Sequence, residues 1–210
     1  MRPSNALILA SLNGAKLAEF QALFAPHKIQ LAPFESFVRN ATALAQVESE
    51  APAATYYENA FRKCHAAFQA CKLPTFADDS GIEVDSLKSA PGVHSAHYGK
   101  PNARESQDAA NRRTLLEGTK GKDSKARMRC VLVFMVEGVV LRAEGVVEGK
   151  LSPAKGEGGF GYDSIFIPDG ATESFAEMAK EEKNKHSHRA RAVNELVKLM
   201  HEREIQLVRP

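Results

Sequence analysis

Charge of one sign is not in excess here. The 210-residue chain carries 28 lysines and arginines against 26 aspartates and glutamates, a formal +2 with histidine neutral. Such a balance excludes a broad field that gathers nucleic acid or anionic lipid without specificity, so any anion must be captured by a local arrangement of groups. Cysteine is scarce as well. Three of them, an odd number, make no disulfide framework and point to a reducing compartment. No long apolar run occurs near the start: ALILA is too short for a signal-peptide core or a membrane span, so a cytoplasmic protein with no membrane partner is expected. The chain has no CxxC pair and no G-x-S-x-G elbow, which argues against structural zinc and against acyl-transfer hydrolysis. Internal repeats and low-complexity linkers are absent too.

What remains is an ordinary globular composition. Hydrophobic residues make up 43% and charged residues 26%, which excludes disordered, collagenous and coiled-coil classes. At this length one domain spanning residues 1–210 is expected.

Hydrophobic period gives the elements. An apolar run at 6–10 ends in the polar SLNGAK, after which Leu17, Phe20, Leu23 and Phe24 recur at helical spacing: strand, loop, helix. A second strand is expected near 29–34 and a helix over 55–72, with Pro74 just past its end. TFADDSGIEVDSL reads as two short apolar pieces flanking an acidic loop that contains glycine. A helix is expected over 104–117. Beyond it, β-branched runs at 128–136 and 139–147, separated by Glu137-Gly138, predict a hairpin. A glycine-rich loop, KGEGGFGYDSIFIPDG, leads into a short strand, and 188–202 closes the chain as an amphipathic helix. Helices and strands without regular alternation predict an α/β or α+β domain built on a mixed sheet.

Four motifs carry chemistry. In SLNGAK, Ser11, Asn13, Gly14 and Lys16 sit where a helix amino end offers backbone donors, so they either hold phosphate oxygens or form an ordinary cap beside a solvated lysine. ADDSG places Asp78 and Asp79 side by side. Adjacent carboxylates repel, and either a hard cation such as magnesium neutralises them or they serve the backbone of a turn. Glu48, Glu50 and Glu58 are upstream candidates for a second ligand. In GEGGFGYD, Phe160 can stack on a planar ring and Asp163 can accept hydrogen bonds from a base edge, or the aromatics pack in a hairpin core. In EEKNKHSHRAR, the cations Lys183, Lys185, His186, His188, Arg189 and Arg191 lie just before or within the opening of the last helix. The dipole opposes cations there, so a bound anion accounts for them better than helix stabilisation does. Cys64, Cys71 and Cys130 read as small buried hydrophobes.

In order, LASLNGAK, YYENAFRKC, LPTFADDSGIEVDSL with APGVHSAHYG, GGFGYDSIFIP and EEKNKHSHRARA are far more specific than any one of them. Together they resemble the inosine triphosphate pyrophosphatase family, hydrolases of non-standard purine nucleoside triphosphates. The resemblance runs from Leu9 to about Leu196. It implies a two-lobed α/β fold with a long central mixed β-sheet flanked by helices, an active site in the cleft between the lobes, and a homodimer. It also implies hydrolysis of ITP, dITP and XTP to the monophosphate and pyrophosphate with Mg2+.

Position by position, the resemblance assigns Ser11, Asn13 and Lys16 to the first phosphate loop and Lys63 to the lysine after ENA. Asp79 becomes metal ligand and proton acceptor, with Ser80 beside it contacting substrate. Phe160, Gly161, Tyr162 and Asp163 fall in the base-binding segment, and Lys183, His188 and Arg189 in the last nucleotide-binding cluster. Two departures stand out. Ser11-Leu12-Asn13 occupies the place of a T-G-N, and the family's upstream metal-binding glutamate aligns with Glu50 only when one residue is inserted. The rival readings are a pyrophosphatase for modified pyrimidine nucleotides and, from another class, a non-catalytic RNA-binding protein using KGKDSKARMR and the C-terminal cations.

Overall fold

The computed structural model describes residues 6–38, 45, 47, 53–205 and 207. Its strands are β1 (Ala6–Leu9), β2 (Gln30–Pro33), β3 (Thr75–Val84), β4 (Lys125–Val136), β5 (Val139–Leu151) and β6 (Phe166–Pro168). The helices are α1 (Gly14–Phe24), α2 (Tyr56–Cys71), α3 (Gln107–Thr119), α4 (Lys180–His186) and α5 (His188–Glu202). Among the described residues the strands form a six-stranded mixed sheet in the order β2-β1-β3-β4-β5-β6. β1 pairs parallel with β2 and β3, and β5 pairs antiparallel with β6. No helix of the described residues is long and apolar enough to cross a membrane.

Two compact units divide the chain. The first comprises the described residues of Met1–Asp79, Cys130–Gly145 and Arg189–Pro210; the second is Ser80–Arg129 and Val146–His188. In the first unit the strands are covered on both faces, which is why β1 reads as an unbroken apolar run. Leu7 and Leu9 join Phe20, Leu23 and Phe24 of α1 and Val193 and Leu196 of α5 in one buried cluster. Ile8 and Ala10 point the other way, to Ala60, Cys64 and Ala67 of α2. Phe76 of β3 is gripped edge-on by Phe20 and Phe24, with centroids 5.3 and 5.2 Å away. In the second unit, Ile82, Val84, Leu115, Met128, Val147, Phe166 and Phe175 make a separate core.

Caps and turns set the element ends. Thr55 and Glu58 form a reciprocal capping box at the start of α2, and Lys72 ends it in the left-handed conformation. Glu137 and Gly138 turn the β4–β5 hairpin, with Gly138 at φ +73.

Four expectations need correction. ADDSG is not a loop: β3 runs through it without a break. Gly81 is there for closeness, since a Cβ would lie 2.4 Å from Ser95 Oγ and 2.5 Å from the Gly92 carbonyl oxygen. The expected start of the third helix at 104 moves to Gln107, because Arg104 takes a left-handed φ of +69 and Ser106 supplies the N-cap. Lys183, Lys185 and His186 belong to the last turn of a separate short helix, α4, where the dipole favours cations. The dipole argument for a bound anion therefore does not apply to them. Cys71, expected to be buried, is only partly covered, while Cys64 and Cys130 are buried.

Candidate active site

The period-two geometry of β3 sorts the two adjacent aspartates. Asp78 shares a face with Phe76, toward α1 and α5; Asp79 shares a face with Ala77, toward α2. Asp78 is 1% exposed and accepts Lys16 Nζ at 2.8 Å from the first turn of α1. Burial disfavours its charge, but Lys16, Lys63 and Arg189 outweigh that and hold the carboxyl well below the usual carboxylate range.

Asp79 keeps an opening, with 18% of its side chain exposed. Its Oδ2 accepts Asn59 Nδ2 at 3.0 Å and its Oδ1 lies 3.4 Å from Lys63 Nζ. Lys63 Nζ also donates to the Asp78 carbonyl oxygen, so one lysine touches both residues. Burial pushes the Asp79 carboxyl up against the opposing pull of Lys63 and Asn59. Asn59 is itself fixed, accepting the Ala53 N–H at 2.7 Å.

The first loop completes this cluster. Asn13 caps α1, its side-chain oxygen accepting the Lys16 N–H at 3.1 Å, while its own N–H donates to Ser11 Oγ at 3.2 Å. Asn13, Gly14 and Ala15 are exposed, so the amino end of α1 faces solvent. Leu12 does not disturb the cap. At the start of α5, Arg189 donates to Glu19 Oε2 at 3.0 Å, the two side chains being 7% and 9% exposed. Arg189 thus adds positive potential beside Asp78 from a buried position.

In the second unit the glycine-rich loop is braced by Asp163. This carboxylate is 2% exposed and its Oδ2 accepts the Phe160 N–H at 2.9 Å and Lys183 Nζ at 2.8 Å. Lys183 also lies over the Phe160 and Phe175 rings, 5.5 and 5.9 Å from their centroids. Phe160 and Gly161 stay partly exposed, and Tyr162 is buried with its hydroxyl donating to the Ser95 carbonyl at 2.7 Å. Burial pushes the Tyr162 phenol up, so it stays a neutral donor. His188 is buried and Ser80 half-buried. Glu48 and Glu50 lie outside the described residues.

Of the residues expected at a site, Lys63 meets Asp79 and Lys16 meets its neighbour Asp78, while Asn59 and Glu19 were not among those expected. Asn59 stood in the quoted YYENAFRKC, one turn before Lys63, and that spacing was the available signal. Glu19 lies one turn after Lys16 on α1. Its partner Arg189 is 170 residues away, beyond the reach of any local pattern.

Among the described residues, no three His, Cys, Asp or Glu side chains gather in a way that could hold a metal ion. Magnesium asks for less. It is bound through one or two carboxylates, with water and substrate phosphates completing its octahedron, and the open hard-oxygen carboxylate of Asp79 suits that role.

A family model, the Ham1 family, matches residues 7–199. The chain is 39% identical over 190 residues to the dITP/XTP pyrophosphatase of Methylococcus capsulatus, covering 89% of this chain and 91% of that protein. To the dITP/XTP pyrophosphatase of Ralstonia nicotianae it is 41% identical over 196 residues, 91% of this chain and 94% of the relative. The solved structure of the Staphylococcus aureus Ham1 protein superposes with a TM-score of 0.78 at 31% identity, covering 95% of this chain and 99% of that one. With the family model spanning all but the ends and the fold shared with a solved member, the chain belongs to the Ham1 family.

Proposed function

We propose that this chain hydrolyses dITP, XTP and ITP to the nucleoside monophosphate and pyrophosphate. The observation that carries the reading is the convergence of Lys16 and Lys63, from two helices, on adjacent aspartates of which only Asp79 opens to solvent. Two lysines with an exposed helix amino end suit a polyphosphate. An open carboxylate beside them suits the orientation or deprotonation of a water attacking the α-phosphorus. Asp79 would hold Mg2+, with Glu50 as the second ligand the resemblance implies, and the chemistry supplied there is neutralisation of charge on the phosphates and the leaving pyrophosphate. The aromatic face of Phe160, steadied by Lys183, suits a planar base.

Hypoxanthine and xanthine carry a carbonyl at position six where adenine carries an amino group. A donor facing that edge, from His188 or Arg189, leaves adenine mismatched at a cost of about 1–3 kcal/mol. Guanine shares the carbonyl, so its rejection requires a second feature near its two-amino group. A homodimer in the cytoplasm completes the proposal, and light scattering tests the dimer.

The deciding experiment is pyrophosphate release from dITP, XTP, ITP, ATP and GTP, with and without magnesium. Turnover of the first three, dependent on metal and lost by at least about a hundredfold in Asp79→Asn, is expected. Equal rates on ATP, or a fully active Asp79→Asn, would overturn it. Turnover of a modified pyrimidine triphosphate in preference to all five would favour the rival pyrophosphatase.

A further inference from the structure

Gly161 sits between two peptide planes that are both held by one helix. Its N–H, part of the peptide shared with Phe160, donates to Asp108 Oδ2 at 2.8 Å. Its carbonyl, part of the peptide shared with Tyr162, accepts Arg112 Nη1 at 2.7 Å. Asp108 and Arg112 stand four residues apart on α3, so they project from the same face one turn from each other. Gly161 has φ +62, a conformation that glycine adopts easily and leaves as easily. Only its two backbone dihedrals separate the planes, so holding both planes removes that freedom. A Cβ built at Gly161 would meet nothing within 4 Å, so side-chain packing at that point does not do this job.

The neighbours of Gly161 are fixed by other groups. Asp163 takes the Phe160 N–H and Ser95 takes the Tyr162 hydroxyl. Asp163 also donates its N–H to the Phe160 carbonyl at 3.2 Å and Lys183 lies over the ring, so the grip on Gly161 adds to these holds by fixing the turn between Phe160 and Tyr162.

We propose that Asp108 and Arg112 are positioning residues: they lock the Gly161 hinge so that Phe160 is presented in one pose for a base to stack on. The inference rests on the reading of Phe160 as a base-stacking residue. It predicts that loss of either grip weakens nucleotide binding more than it slows turnover, because the phosphate-handling lysines and Asp79 are untouched.

The test is steady-state hydrolysis of dITP by Asp108→Ala, Arg112→Met, the double variant and Asp108→Asn. Pyrophosphate product inhibition and hydrogen exchange of the 160–162 amides are followed alongside. In Asp108→Ala and in Arg112→Met KM should rise about tenfold with kcat within about twofold, the loss of one charge-assisted hydrogen bond. The pyrophosphate inhibition constant should stay at the wild-type value. Asp108→Asn keeps an acceptor for the Gly161 N–H and should remain near wild type. The double variant should lose less than the product of the singles, since both groups hold one hinge. Unchanged KM, or a fall confined to kcat, overturns the proposal. A wild type that fails to hydrolyse dITP overturns the proposed function instead. Exchange of the 160–162 amides then decides the hinge alone, faster in the variants supporting it and unchanged sinking it.

Discussion

Asp78 is buried against Lys16, whereas its neighbour Asp79 stays partly open beside Asn59 and Lys63. The carboxyl of Asp78 is held low by three cations, so its ionisation stabilises the fold. A depressed native pKa contributes stability in full above the unfolded value of 3.8, and that contribution is lost as pH falls below it. Asp78→Asn leaves Lys16 facing a neutral amide and should cost about 3 kcal/mol at neutral pH. The gap between wild type and variant should close progressively as pH drops through the region of 3.8 and below. Denaturant melts of the metal-free protein at a series of pH values measure this; a gap independent of pH would show that Asp78 is not charged in the native state. Asp79, whose carboxyl burial pushes up, acts with the opposite sign, so the variant must be compared with wild type at each pH.

At the scale of elements, β3 depends on Gly81 as a point of close approach. Ser95 Oγ accepts the Ile82 N–H at 3.0 Å and donates to the Gly92 carbonyl at 2.6 Å, and both Ser95 and Gly92 occupy the space a side chain at 81 would need. Gly81→Ala should therefore destabilise by about 1–3 kcal/mol through overpacking, a fall of several degrees in Tm on a thermal scan. An unchanged Tm would mean that the segment around Gly92 gives way freely. The same glycine explains why β3 was illegible as one strand. Two aspartates, a serine and a glycine have turn composition, and only the tertiary neighbour at Ser95 reveals that the glycine serves contact. Where the signal is local, the sequence was readable: the β4–β5 hairpin from Glu137-Gly138, α2 from its cap and spacing, α5 from its apolar stripe. The cations of α4 were misplaced because a seven-residue helix has too few turns to show a period. Lys16, Lys63 and Asp79 drew attention through motif order, yet Asn59, which bonds Asp79, and Glu19, which pairs with Arg189, carry no chemistry of their own until the fold brings their partners near.

For the molecule as a whole, a formal +2 includes four cations around the candidate site that each meet a carboxylate. Lys183 and Arg189 are 8% and 7% exposed and sit in ion pairs with Asp163 and Glu19. Lys16 and Lys63 are 18% and 20% exposed, each beside an aspartate. Charges in such positions are screened by salt far less than solvated ones. A protein that makes about 6–10 nucleic-acid phosphate contacts on an open cationic surface loses about 10³–10⁵ in affinity between roughly 50 and 200 mM salt. Here the same increase, at constant magnesium, should lower kcat/KM for dITP by less than about tenfold. Excess single-stranded RNA should leave kcat/KM unchanged. A steep salt dependence together with inhibition by RNA would instead place the important cations on the surface, and would bring back the RNA-binding reading of the basic segments at 120–129 and 183–191.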